Sequence, residues 1–309
     1  MKPFLRSIEY RIKVIIWNLF RIFLGGNAPP VAVPVDFSKI SNVLVVRPDR
    51  LGDVVLSTPV YESLKQSFPH LKITAMVNPI QAGILENNPH LHKIILMRRR
   101  RFWRAIRQSR KEKFDIAITL NKKFSATATF FTLCANATIN TGYCHSQSSW
   151  GYNIQLPVEG PSCHEIENNL ALLKHMGVPQ IVQQPRVYFN DREKQKITGI
   201  INSNKKKRPL ILVKTGTRIP EWGWQWEKFQ IVIEHILKND IADIWMINGP
   251  GEEAELESHI SKMKFKPRLL PLVKVKELAL LMQQCDLLFC NHTGIMHLAS
   301  AVEKPACVI

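Results

Sequence analysis

The chain reads as an α/β protein: two successive domains, each a doubly wound parallel sheet, with a cleft between them. Three observations predict this. Short apolar runs alternate with helical stretches in two sets, one from residue 43 and one after residue 208. Those runs are aliphatic without polar alternation, as strands buried on both faces of a parallel sheet must be. The length, 309 residues, suits roughly two domains with real cores.

The elements follow in order. In residues 1–24 Lys2, Arg6, Glu9 and Lys13 share one face at helical spacing, and Leu5, Ile8, Ile12, Ile15, Ile16, Leu19 and Phe23 cover the other. The longest uncharged run, Val14–Phe20, is too short to cross a bilayer. Arg21 interrupts any signal-peptide core. A basic amphipathic helix carrying Trp17 points to a segment lying in a membrane interface, with docking on the protein's own surface as the other reading. Gly25–Pro34 reads as a linker, so residues 1–34 are expected to hold this helix and linker.

The first sheet domain, expected over residues 35–185, opens on Val43–Lys65: an apolar strand, the turn PDRLGD and an amphipathic helix. Its strands are expected at Val43–Arg47, Ile73–Val77, Ile94–Met97, Phe114–Leu120 and Ala137–Asn140. Helices are expected at Tyr61–Ser67, Phe102–Lys113 and Ser125–Cys134, a loop over Tyr143–Pro161, and a helix over His164–Met176. The second domain, expected over residues 186–309, follows the basic run Lys205–Arg208 with strands at Pro209–Lys214, Ile244–Asn248, Leu269–Leu272, Leu287–Cys290 and Pro305–Ile309. Ligands of such sheets bind beyond the carboxyl ends of the strands. That rule marks the loops Pro48–Asp53, Thr215–Trp224, Gly249–Glu253 and Asn291–His297.

Composition narrows the partners. Apolar content of 45% and charged content of 22% are ordinary, but the net charge of +17 points to an anionic partner. In RRRRFWRAIRQSRKEK (98–113), Arg100, Arg104, Arg107 and Lys111 form one helical stripe, either a solvated face or a phosphate or anionic-lipid surface. No nucleic-acid motif or interleaved stacking platform accompanies the charge, so nucleic acid is not an expected partner. No G-x-G-x-x-G or Walker pattern occurs, which disfavours dinucleotide oxidoreduction and P-loop chemistry. The cysteines are scattered, and Cys285 and Cys290 flank a strand, as buried thiols in a reducing compartment would.

RPDRLGDVVLSTPVYESLK, LKITAMV and NPHLHKII resemble the opening of the lipopolysaccharide heptosyltransferases, glycosyltransferase family 9. HEIENNLALLKHMGVP resembles the helix before that family's interdomain region. INGPGEEAELE and CDLLFCNHTGIMHLASAVEKPACVI resemble its donor-binding half, and the matching order spans residues 42 to 309. The resemblance implies a GT-B fold, two Rossmann-like domains facing a cleft, with the acceptor domain first and the nucleotide-sugar domain second. It implies transfer of a sugar, typically heptose from ADP-heptose, onto the inner core of lipopolysaccharide, with inversion and with no metal or other cofactor. It places such enzymes peripherally at the cytoplasmic face of the inner membrane.

An inverting transfer needs a base, and the family's base falls on Asp53. The residues alone leave Asp53 two roles: a helix cap, or an ionised proton acceptor stabilised at a helix start. The leaving diphosphate needs donors, which Thr293 and Gly294 can supply where a helix follows Leu287–Cys290. His297 lies one turn later, as a site residue or a structural histidine. Gly249 permits close backbone approach. Glu252 or Glu253 can accept from the donor ribose, or Glu252 is a solvated first-turn carboxylate. Thr215, Thr217, Arg218 and His292 complete the expected donor contacts, and Arg47, Arg50, Arg100 and Arg104 the expected acceptor contacts.

Three features depart from the family pattern. His292 stands where the family usually has Asp. The lysine two residues before the loop tryptophan is replaced by Trp222, with Lys214 or Arg218 as substitutes. The chain stops at Ile309, inside an expected strand, so the donor domain is expected to be shortened at its C-terminus. These features motivate a second reading, a relative that binds nucleotide sugar or anionic glycolipid without efficient transfer.

Overall fold

The structure, a computed structural model, describes residues 22, 28–158, 163–202, 208–217, 219, 221 and 223–309. The expected N-terminal helix lies outside these residues but for Ile22, as do Arg218, Trp222 and the run before Arg208. The chain divides into two compact units. The first runs to Asp49 and resumes at Pro59–Pro79 and His90–Gln183; the second takes Arg50–Thr58, Ile80–Pro89 and Gln184–Ile309.

The first unit is a six-stranded sheet in the order β3-β2-β1-β4-β5-β6, every pairing parallel. Its strands are β1 (Asn42–Arg47), β2 (Lys72–Val77), β3 (Lys93–Leu96), β4 (Ile116–Thr119), β5 (Ile139–Tyr143) and β6 (Ile154–Leu156). Val43, Leu44, Val45 and Val46 are fully buried, which is what an unalternating aliphatic strand at the centre of a covered sheet requires. One side of the sheet packs Leu44, Val46, Met76 and Ala117 against Ile106 of α3 (Phe102–Glu112) and Phe131 of α4 (Ala126–Cys134). Asp115, just before β4, accepts the N–H groups of Ser41 at 2.7 Å and Asn42 at 2.9 Å, fixing where β1 begins.

Three expectations need correction. The stretch Tyr143–Pro161 is not all loop, because Ile154–Leu156 adds the edge strand β6, pairing Thr141 with Ile154. Three residues are too few to show periodicity; buried Trp150 and Tyr152 anchor the segment instead. Second, the described part of the expected linker is held to the first unit: Ala28 N–H donates to Trp150 O at 2.7 Å, Val31 N–H to Asn153 O at 3.0 Å and Val35 N–H to Met176 O at 2.9 Å. Third, the helix after β1 is broken at Leu56–Ser57 into α1 (Leu51–Val55) and α2 (Thr58–Ser67). Pro59 carries no N–H to continue the ladder. The helix expected at His164–Met176 is α5 (Glu165–His175).

The second unit carries a five-stranded parallel sheet in the order β11-β10-β7-β8-β9. Its strands are β7 (Leu210–Lys214), β8 (Asp243–Met246), β9 (Arg268–Leu269), β10 (Leu287–Cys290) and β11 (Ala306–Val308). Its helices after α1 are α6 (Asp191–Asn202), α7 (Trp226–Lys238), α8 (Glu253–Ser261), α9 (Val275–Gln284) and α10 (Ile295–Ala301). Asp286, just before β10, accepts the Leu210 N–H at 2.7 Å. Each sheet thus uses a carboxylate at the foot of one strand to start its central neighbour. Burial pushes the Cys285 and Cys290 thiols up to about 11, so both are inert buried thiols. Among the described residues no helix is long and apolar enough to cross a membrane.

Candidate active site

The second unit brings the expected base and the expected phosphate-binding segment together. A cavity of about 470 Å³ is lined by Arg50, Gly52 and Asp53 from the start of α1 and by His292, Thr293, Gly294 and His297 from the β10–α10 turn, with Thr217 at its edge. The meeting depends on two glycines. A Cβ on Gly52 would lie 2.5 Å from His297 Cδ2, and one on Gly294 would lie 3.2 Å from the Gly52 nitrogen. Glycine at both positions eases the close approach of α1 and α10.

Asp53 is not the N-cap; Arg50 is. Asp53 sits three residues further on, and its Oδ2 accepts the Arg50 N–H at 3.2 Å. A carboxylate has two oxygens and several lone pairs, so cap and base are compatible roles. Thr293 Oγ1 accepts the Ile295 N–H at 3.3 Å and orders the first turn of α10. A hydroxyl that accepts there keeps its own O–H to donate.

Beside it lies a second cavity of about 350 Å³, lined by Thr215, Gly216, Thr217, Trp224, Trp226, Glu252 and His259 among others. Thr217 borders both cavities. The Trp226 and His259 rings stack at 4.7 Å and 20° on its wall. The Glu252 carboxylate is 41% exposed but also engaged by its neighbours. Its Oε2 accepts the Gly249 N–H at 2.8 Å and pairs with the ammonium of buried Lys214. The close approach that Gly249 permits is therefore to Glu252, and Lys214, a candidate substitute for the family's loop lysine, is committed to that carboxylate.

Sequence reasoning missed Asn291. It is fully buried at the end of β10, and its Nδ2 donates to Thr215 O at 2.5 Å and to Trp224 O at 3.1 Å. Its Oδ1 accepts the Trp224 N–H at 2.8 Å. One side chain thus pins both ends of the loop that carries Thr215 and Thr217. The signal was a polar residue directly after an apolar strand. Asn291→Ala strands three backbone groups, each worth about 1–3 kcal/mol when left unpaired. It is expected to lower the thermal midpoint by several degrees, at roughly 2–4 °C per kcal/mol, read by a thermal melt.

The acceptor expectation is corrected at Arg47. That side chain is 2% exposed; Nε lies 3.1 Å from Asp49 Oδ2, Nη2 donates to Glu165 at 2.6 Å and Nη1 to Asn169 at 3.2 Å. It binds the foot of α5 to β1 and is withdrawn from any ligand surface. Arg50 lines the Asp53 cavity, while Arg100 and Arg104 are exposed on and just before α3 and line none of the cavities described here. The first unit has a cavity of its own, about 480 Å³, lined by Pro48, Asp49, Asn78, Arg98, Phe102, Ser125, Thr127 and Phe130 among others. It opens at the carboxyl ends of β1, β2 and β3, where the strand order reverses on either side of β1, the place such sheets bind ligands.

Two successive doubly wound parallel sheets are the architecture of the GT-B class. The fold matches the crystal structure of a family 9 glycosyl transferase from Veillonella parvula at a TM-score of 0.78 and 21% identity, covering 90% of this chain and 81% of that one. It also matches Escherichia coli ADP-heptose lipopolysaccharide heptosyltransferase II at a TM-score of 0.72 and 18% identity, covering 86% of this chain and 84% of that one. In sequence it is 22% identical to Escherichia coli lipopolysaccharide heptosyltransferase 3, covering 82% of this chain and 78% of that protein. The chain belongs to glycosyltransferase family 9 (heptosyltransferase), whose family model matches residues 99–309. It is a glycosyltransferase.

Proposed function

We propose that this glycosyltransferase moves heptose from ADP-heptose onto the inner core of lipopolysaccharide, inverting the anomeric centre without a metal, at the cytoplasmic face of the inner membrane. The observation that carries the reading is the adjoining pair of cavities joined at Thr217, with Asp53 in one and the Trp226–His259 ring pair in the other. An elongated donor fills both: base and ribose beside Trp226 and Glu252, diphosphate and sugar beside Thr293, Gly294, His297 and Asp53. The heptosyltransferase relatives and a solved Escherichia coli heptosyltransferase with ADP support the sugar and the nucleotide.

In the proposed step Asp53 accepts the proton of the acceptor hydroxyl as its oxygen attacks the anomeric carbon. The bond from that carbon to the diphosphate breaks, its electron pair leaves with ADP, and the configuration inverts. Arg50, His292 and His297 donate to the departing oxygens. His292 in place of the family's Asp adds a donor on the side where negative charge develops. Exposed Arg98, Arg100 and Arg104 of the first unit are the groups offered to the acceptor's phosphates.

A donor screen tests this. ADP-heptose is expected to raise the thermal midpoint more than UDP-, GDP- or CMP-sugars, by about 2.7 kcal/mol of added stability at a hundredfold excess over Kd. Turnover with a lipopolysaccharide-core acceptor completes the test. Donor binding without turnover selects the non-transferring relative instead.

A further inference from the structure

The outer face of α3 has no role in the transfer step beyond Arg104. The helix buries Ala105, Ile106 and Ser109. At about 100° per residue, Trp103, Arg104, Arg107, Arg110 and Lys111 fall together on an arc of roughly 120° facing away from that buried side. All five are exposed, Trp103 at 69%. Within the arc no residue is acidic, and the helix's one carboxylate, Glu112, lies outside it and pairs with Lys93. A solvated charged face gains nothing from an exposed indole. A tryptophan among cations on a convex helix suits a headgroup layer, where the ring sits at the apolar boundary and the cations meet lipid phosphates.

We propose that this face of α3 is the surface through which the chain sits on a bilayer containing anionic phospholipid. It deepens the proposed function, whose membrane partner it supplies with a docking surface. Charge complementarity sets the occupant: Arg104, Arg107 and Lys111 beside Trp103, with Arg110, whose Nε also donates to Cys134 O at 2.9 Å, against an anionic sheet.

Sedimentation of the full chain with vesicles tests it. The chain is expected to bind vesicles of phosphatidylcholine with phosphatidylglycerol, in a salt-sensitive way, and not vesicles of phosphatidylcholine alone. At roughly fivefold per cation, Arg107→Gln with Lys111→Gln is expected to weaken binding about twenty-five-fold. Trp103→Ser is expected to weaken it with little change in salt dependence. Both variants keep the ADP-induced thermal shift and transfer to a lipid-free acceptor, which shows that they fold. Unchanged vesicle binding by the double variant overturns the proposal, as does a parent chain that binds duplex DNA more tightly than vesicles. Failure of the parent to transfer to a lipid-free acceptor would instead remove the proposed acceptor and leave the vesicle result standing.

Discussion

Replacing Asp53 with Asn is expected to reduce transfer by about 10²–10⁴-fold, the usual contribution of a positioned general base, and to change stability by less than about 0.5 kcal/mol. The two expectations separate because of where the carboxylate sits. One structural task is to accept the Arg50 N–H at the head of α1, and an amide oxygen does this almost as well. Its proposed chemical task is to take a proton, which an amide cannot do. ADP binding is expected to persist, since the proposed arrangement puts the nucleotide end of the donor in the cavity beyond Thr217. A rate assay beside a thermal melt reads both. A variant that keeps full turnover removes Asp53 from the role of base, and one that fails to fold shows the carboxylate to be structural.

Arg47→Met is expected to do the reverse. Removing the guanidinium leaves Glu165, Asn169 and Asp49 facing a site their partner has vacated. Breaking a buried ion pair from one side costs about 3–5 kcal/mol. Glu165 and Asp49 are partly exposed, so relaxation toward water should hold the loss near the lower figure. At roughly 2–4 °C per kcal/mol, the thermal midpoint falls by about 6–12 °C. The KM for acceptor in the folded fraction is expected to stay the same. A raised KM with an unchanged midpoint would return Arg47 to the ligand surface.

Arg47 also shows what a sequence can and cannot tell. The strand it ends was legible because burial on both faces leaves a run with no polar break, and the same holds for β2, β7 and β10. An arginine closing such a strand reads as a ligand contact, since nothing local reveals Glu165 and Asn169, more than a hundred residues away. β6 stayed hidden because three residues carry no period. The break between α1 and α2 was obscured by apolar residues running through Val54–Leu56, although Pro59 marked it. Asp53, Thr293, Gly294 and His297 were expected to share a site because motif and strand-end position agreed, and they line one cavity. Asn291 was missed because its partners are backbone atoms of another loop, which no side-chain pattern encodes. Glu252 was found as a residue, but its partner Lys214 emerged only from the fold.

The central claim is that one donor molecule occupies both cavities of the second unit. A crystal structure of the Asp53→Asn chain with ADP-heptose tests it most directly. The account predicts adenosine beside Trp226 and Glu252, diphosphate against Thr293 and His297, and the anomeric carbon in the cavity that residue 53 lines. A diphosphate found away from the β10–α10 turn, or a sugar pointing out of that cavity, would contradict it.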